Sequence, residues 1–502
     1  MKQPQRWRLW AGLALLDALA LYSQATSGFL LLFHGLVIMI SGRGKAGRMR
    51  LIRGGLALAG GLALWLPWLI YALPFVGENA GYWAGQLNWQ FILSGAFRGF
   101  VTGQMMDGAA ETATLVTWGI ACLAGVLALV DKPRRSTALF LLAYFAAPVA
   151  AMALLFRTVP KFSPRYLILA SPPLFLLPAI GVAALLRRPG VRRTVGALLL
   201  AALTTTAGLG LGNLYFNPAH AKSDFRAAAQ IVREQMTADE IVLIVPGHTF
   251  PVWQYYFGPD GWRALPDDPI LDVRHILHYR NTAGRLNDVL GGPSNVKGSE
   301  AARSGVWLVE WEPWVVDPTG LVAHLLEQVG EETVLPEEPI GLRLRHYRMA
   351  DDALPLPPEP IVSPPLDSSL DLPLNLVGCA IPDQTRGDEE LQTGCYWQAQ
   401  DALPHHLSVS ARLVDTAGVE WGRTDSAISG PYLVAGRWPL DEPVLGRYNL
   451  QPLPGIPPGD FYQLQLRVYE PDGAARGAVS VGPVTIARPS RPFTGAISST
   501  LA

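Results

Sequence analysis

Three cations and a tyrosine share the ten-residue run Arg157-Thr-Val-Pro-Lys161-Phe-Ser-Pro-Arg165-Tyr166. Guanidinium groups offer paired donors in a fixed plane, so such a cluster suits the oxygens of a phosphate or pyrophosphate headgroup. Bulk anionic lipid is the blander partner for the same charges. A second stretch, Glu78–Glu111, sets Glu78, Asp107 and Glu111 among Tyr82, Trp83, Trp89, Phe91, Phe97 and Phe100. Trp and Tyr favour the membrane–water boundary. This stretch therefore reads either as an interfacial helix that seats a bundle or as a lid whose acids line a polar mouth. Asp17 and His34 each lie inside an apolar segment, and an ionisable group at that depth is a functional candidate by default. His248, His275 and His278 lack paired cysteine or carboxylate spacing, so a metal reading is disfavoured.

These residues need elements to hold them. Half of the 502 residues are apolar and 16% are charged, below the roughly 25% of ordinary soluble domains. The net charge of −1 gives no footprint for nucleic acid. Five segments match the roughly 20 apolar residues that cross a bilayer: Gly54–Val76, Thr112–Val130, Thr137–Phe156, Tyr166–Leu186 and Thr194–Leu214. Leu9–Tyr22 and Gly28–Ile40 are shorter and are joined by the polar Ser23-Gln24-Ala25-Thr26-Ser27, which predicts a tight hairpin that dips out and returns. The first apolar segment is followed by further spans, so it belongs to the bundle and is not a removable leader. Seven spans then put fifteen Lys/Arg in one set of loops and four (Arg98, Arg157, Lys161, Arg165) in the other. By the positive-inside rule the first set is cytoplasmic, and everything beyond Tyr215 is exported.

From Asn217 the composition changes. Lys222–Met236 carries one apolar stripe at helical spacing. Ile270–Leu290 and Pro318–Val329 also read as helices, and Glu240–Val245, Val306–Trp311 and Leu342–Met349 as strands. Alternation of this kind predicts a small α/β domain over residues 216–350. Residues 351–365, with six prolines between Pro355 and Pro365, form a stiff linker. Beyond it the apolar period switches to two at Leu407, Val409, Ala411 and Leu413, and again at Tyr462, Leu464, Leu466 and Val468. Turn signals between these runs predict an all-β sandwich over residues 366–490. Trp397, Trp421, Tyr432 and Trp438 suit sugar stacking or core packing equally. Cys379 and Cys395 fall where oxidation is permitted, and both a bridge and two free thiols remain open.

Leu19-Ala-Leu-Tyr22, Trp65-Leu-Pro-Trp68, Gly81-Tyr82-Trp83 and Ser163-Pro-Arg165-Tyr166 with Pro172-Pro173 resemble the polytopic GT-C glycosyltransferases. The nearest likeness is to the protein O-mannosyltransferase and aminoarabinose-transferase-like group, over about residues 10 to 350. The resemblance implies a polytopic α-helical membrane bundle in residues 1–215, an exported α/β domain and an immunoglobulin-like sandwich. It also implies inverting transfer of a sugar from a polyprenyl-phosphate donor to a carbohydrate or protein acceptor outside the membrane. Arg165 and Tyr166 match the family's lipid-facing loop, with Lys161 and Arg157 added by charge. The family's acidic motif follows its first span, whereas the corresponding loop here, Ser23–Ser27, has no acid. The chain therefore matches only the later part of the catalytic module, and the expectation is a polypeptide incomplete at its N-terminus. Glu78, Asp107 and Asp17 stand as substitute bases. The need for a divalent metal stays open. The alternative is a non-catalytic anchor that displays the sandwich for surface assembly or carbohydrate contact.

Overall fold

A computed structural model describes residues 7–42, 45–73, 89–130, 135–155, 164–268, 271–272, 275–291, 303–350, 355–382, 384–404 and 406–490. The chain divides into two compact units, residues 1–222 and 223–502.

The described residues of the first unit form helices: α1 Trp7–Ser23, α2 Gly28–Ile40, α3 Lys45–Ala72, α4 Trp89–Thr102, α5 Gly108–Ala128, α6 Arg135–Leu155, α7 Pro172–Leu186 and α8 Val191–Phe216. Its outer surface is apolar. Leu56, Leu64 and Ile70 on α3, Leu123 and Leu127 on α5, and Leu198 and Leu209 on α8 are all exposed. A helix apolar on its outer side as well as its packed side is either a membrane span or a helix covered by other protein. Among the described residues, α3, α5, α6 and α8 are long and apolar enough to cross a membrane. The 3₁₀ segment Pro164–Ala170 and α7 together are also long and apolar enough, as a broken span or a re-entrant loop bent by 54°. The continuous span expected over Tyr166–Leu186 is thus broken. Pro172 and Pro173 open α7, and their missing N–H groups cannot continue the preceding turn. At 17 and 13 residues, α1 and α2 are shorter than these candidate spans. They are joined through the 3₁₀ turn Ala25–Ser27, where Ser27 Oγ donates to the carbonyls of Ala20 and Gln24.

Small residues let the helices close. A side chain at Gly125 on α5 would lie 2.0 Å from the Leu177 carbonyl oxygen on α7, and one at Gly181 on α7 would lie 2.5 Å from the Gly125 nitrogen. Backbone approach between small residues is how helices associate where no water drives them together.

The second unit begins with α9 Phe225–Gln235, β1 Glu240–Val245, α10 Phe250–Phe257, β2 Trp262–Ala264, α11 Tyr279–Leu290, β3 Gly305–Glu310, α12 Leu321–Val329, β4 Gly330–Thr333 and β5 Arg343–Met349. These strands form one mixed sheet in the order β2-β1-β3-β5-β4. The three expected strands are present as β1, β3 and β5, at the parallel centre and its antiparallel neighbour. The expected helix over Ile270–Leu290 starts only at Tyr279. The short β2 and β4 and the eight-residue α10 carried too little periodicity to be read beforehand.

The remainder is β-rich: β6 Asp367–Leu370, β7 Leu374–Ala380, β8 Gln384–Arg386, β9 Leu391–Ala399, β10 Ser408–Asp415, β11 Glu420–Ala427, β12 Pro443–Leu450, β13 Gly459–Tyr469 and β14 Ala475–Ala487. One sheet runs β11-β10-β13-β14-β6 with β8 beside β14, and the other runs β12-β9-β7. All pairs are antiparallel except β8–β14. Inward residues of both sheets share one core, with Leu413, Leu464 and Val479 facing Trp397, Val444 and Leu376. Trp397 and Trp438 are buried there, and Trp421 is half-buried with its indole N–H donated to Asp415. Core packing therefore accounts for these three, while Tyr432 stays exposed. Cys379 and Cys395 are bridged between β7 and β9.

The proline-rich segment is docked. Leu356 is buried, and its N–H and carbonyl are clamped by the Asn287 side chain at 2.9 and 2.8 Å. Tyr396 of β9 and Leu445 of β12 lie in the same core as Leu286 and Leu325 of the α/β layer.

Candidate functional site

At one end of the bundle, polar side chains hold the backbone of Arg165 and Tyr166. The turn between α1 and α2 supplies Gln24, whose Nε2 donates to the Arg165 carbonyl at 2.7 Å, and Thr26, whose hydroxyl donates to the Tyr166 carbonyl at 2.6 Å. Both bonds satisfy backbone acceptors of a 3₁₀ segment that could not all be paired within it. They pin Arg165 and Tyr166 to the start of the chain across 140 residues of sequence. The backbone is fixed while the Arg165 side chain is exposed. Its guanidinium lies over the Tyr166 ring, 5.6 Å from the centroid, a cation–π contact that limits where the charge can go. Arg165 makes no ion pair among the described residues.

Helix α4 forms the adjoining wall. Ala96 is fully buried against Val149, Met152 and Leu167, with Phe29, Phe100 and Tyr166 packed around them. Gly99 admits Pro164, since a Cβ there would sit 2.5 Å from the proline ring. On the solvent side, Arg98 Nε and Nη2 each donate to Glu111 at 2.7 Å. This fork-to-fork geometry is the strong form of the pair. Farther along, Asn213 Nδ2 donates to the Met105 carbonyl at 2.7 Å, and His220 Nε2 lies 3.8 Å from Asp107.

The expected site residues separate. Arg165 and Tyr166 stand together at this end, whereas Arg157, Lys161 and Glu78 lie outside the described residues. Asp107 is exposed at the N-cap position of α5, where its side chain makes no cap bond. Asp17 is elsewhere: six residues back from Ser23, it lies about 9 Å in from the end of α1 at 1.5 Å per residue. It is buried, with Oδ1 3.1 Å from His34 Nδ1 and Oδ2 without a hydrogen bond. Gly61 of α3 makes room for it, because a Cβ there would be 3.2 Å from that of Asp17.

Sequence reasoning missed Gln24 and Thr26, which are uncharged loop residues with no local signal of their partner. It named Arg98 and Glu111 separately. Their spacing of 13 across a helix break gave no hint of a pair. Among the described residues no three His, Cys, Asp or Glu side chains gather as a metal ion would need. No protein-family model and no curated protein sequence matches this chain.

Proposed function

We propose that the chain is a membrane glycosyltransferase-like protein of the GT-C kind. On this reading it transfers a sugar from a polyprenyl-phosphate donor to a carbohydrate or protein acceptor on the extracytoplasmic face. The observation that carries the reading is Arg165: a guanidinium without a carboxylate partner among the described residues, on a backbone held by Gln24 and Thr26, beside aromatic groups at the end of an apolar bundle. A cation so held would bind the donor's phosphate and stabilise the charge that grows on it as the glycosidic bond breaks. The other half of the reaction is a carboxylate that takes the proton of the acceptor hydroxyl as its oxygen attacks the anomeric carbon. Of the described candidates, Asp17 has a free oxygen and a histidine to orient it, and Asp107 is open to solvent. The exported side would hold the α/β layer and an immunoglobulin-like sandwich. The Cys379–Cys395 bridge supports that placement, because such bonds persist in oxidising compartments.

One observation favours a second reading, a non-catalytic anchor that displays the antiparallel sheets. The best-placed outer-end acid, Glu111, is committed to Arg98 on both oxygens.

Proteoliposomes bearing the full chain, supplied with radiolabelled polyprenyl-phosphate sugars, test the first reading. Arg165→Ala is expected to lower turnover about 100-fold, the cost of removing one donor to a developing charge, with partial recovery in Arg165→Lys. Turnover unchanged by Arg165→Ala would remove the phosphate assignment, and no transfer from any donor would favour the anchor.

A further inference from the structure

The seam inside the second unit holds a cavity of about 280 Å³ lined by residues of both the α/β layer and the antiparallel sheets. One wall is the loop from Pro313 to Gly320. The other is the turn Ser429-Gly-Pro-Tyr432. Gly320 and Gly430 take positive φ of 69° and 83°, which only glycine adopts without strain, and the two loops come face to face. Trp314 and Tyr432 stack across the seam, centroids 5.4 Å apart and planes 20° from parallel. Both remain open, at 39% and 56% exposure, in contrast to the buried or half-buried tryptophans of the β-rich part.

The floor is a buried ion pair, two of whose atoms lack a hydrogen bond. Glu310 and Arg345 line the cavity and are 4% and 6% exposed. Glu310 Oε2 and Arg345 Nε lie 3.4 Å apart but are not aligned to bond, and each atom lacks a hydrogen bond. A buried polar atom without a hydrogen bond is costly, so both atoms favour a visitor that donates to one and accepts from the other. A sugar hydroxyl does both. Asp317, also in the lining, is already committed: its oxygens accept from the N–H groups of Leu321 and Val322 at 2.7 and 2.9 Å. Burial pushes the carboxyl groups of Glu310 and Asp317 up from their usual range. Arg343 at the rim is exposed and forms no ion pair among the described residues. Arg345 is paired with Glu310, Glu327 and Glu332 and Arg447 with Glu327, so Arg343 is the lining's cation for an anionic visitor.

We propose that this seam binds an acidic saccharide. One pyranose ring lies against the open aromatic face of Tyr432, its hydroxyls reach Glu310 and Arg345, and its carboxylate pairs with Arg343. Stacking supplies affinity through the ring's C–H face, and the planar guanidinium supplies the preference for a carboxylate. The site stands apart from sugar transfer at the bundle, and it is measured without any lipid-linked donor, so either reading can fail alone.

Calorimetric titration of the detergent-solubilised full chain with trigalacturonate, a hyaluronan tetrasaccharide and neutral maltotriose tests it. Saturable binding of at least one acidic probe is expected, about tenfold or more tighter than maltotriose, a gap of 1.4 kcal/mol or more. Arg343→Gln and Tyr432→Leu should each weaken that binding about tenfold, while Tyr432→Phe keeps it. No saturable binding of either acidic probe, equal binding of maltotriose, or affinity indifferent to both Arg343→Gln and Tyr432→Leu would overturn the proposal.

Discussion

Glu240 shows how a single buried acid sets a pH dependence. Burial alone would raise its pKa. The N–H of Thr237, the indole of Trp307 at 3.0 Å and the ring of His346 at 2.8 Å outweigh that and hold the carboxyl below its usual range. A depressed carboxyl stabilises the fold above the ordinary Glu range, about pH 4.3, and that stability is lost as pH falls through the depressed value. Glu240→Gln is therefore expected to cost about 1–3 kcal/mol at pH 7, with the gap to wild type narrowing toward pH 3 in thermal unfolding. A gap that widens on acidification would contradict the assignment. The residue scale also shows what a sequence hides. Asp17 and His34 were each legible as ionisable groups in apolar segments. Their bond was not, because it depends on the α1–α2 turn that brings residues 17 positions apart into reach.

At the scale of elements, the long apolar helices were legible because crossing a bilayer would demand length and apolarity together. The described parts of all five long apolar segments fall on the long helices or on the bent pair. The break at Ser171–Pro172 lies inside one of those segments, where hydropathy stays high and only the paired prolines mark it. What holds the helices together was not legible, since Gly125 and Gly181 read as ordinary small residues in apolar runs. Their close crossing makes a sharp prediction. Gly125→Val would drive a side chain into the Leu177 carbonyl, and an overpacked contact costs about 1–3 kcal/mol. The expected result is a lower unfolding temperature of the detergent-solubilised chain. Gly119→Val, on the same helix where an added Cβ meets nothing within 4 Å, should leave it unchanged. Equal effects of the two substitutions would argue against the crossing. In the second unit, the central strands were read from apolar runs of six residues, whereas β2, β4 and β8 are three or four residues long and owe their state to neighbouring strands.

At the scale of the molecule, two features tie distant parts of the second unit together. Arg280 at the start of α11 bonds Glu359 in the proline-rich segment and Glu442 beside β12 at 2.8 and 3.1 Å. Tyr279 meets Tyr396 edge-on at 5.3 Å. A proline-rich composition predicts stiffness, but not whether the stiff segment spans open water or lies along a surface; here it lies along a surface. The Cys379–Cys395 bridge closes a loop with a sequence separation of 16, worth about 3 kcal/mol in the chain-entropy account. Its presence bears on the claim from which the functional reading follows, that the cationic loops face the cytosol while Arg165 and the second unit face outward. Single cysteines decide this directly. With Cys122 replaced by alanine, Ser41→Cys and Ala221→Cys place exposed thiols at opposite ends of the expected topology. In sealed right-side-out vesicles, an impermeant maleimide is expected to label Ala221→Cys at once and Ser41→Cys only after permeabilisation. Labelling of Ser41→Cys in intact vesicles while Ala221→Cys stays protected would contradict the account.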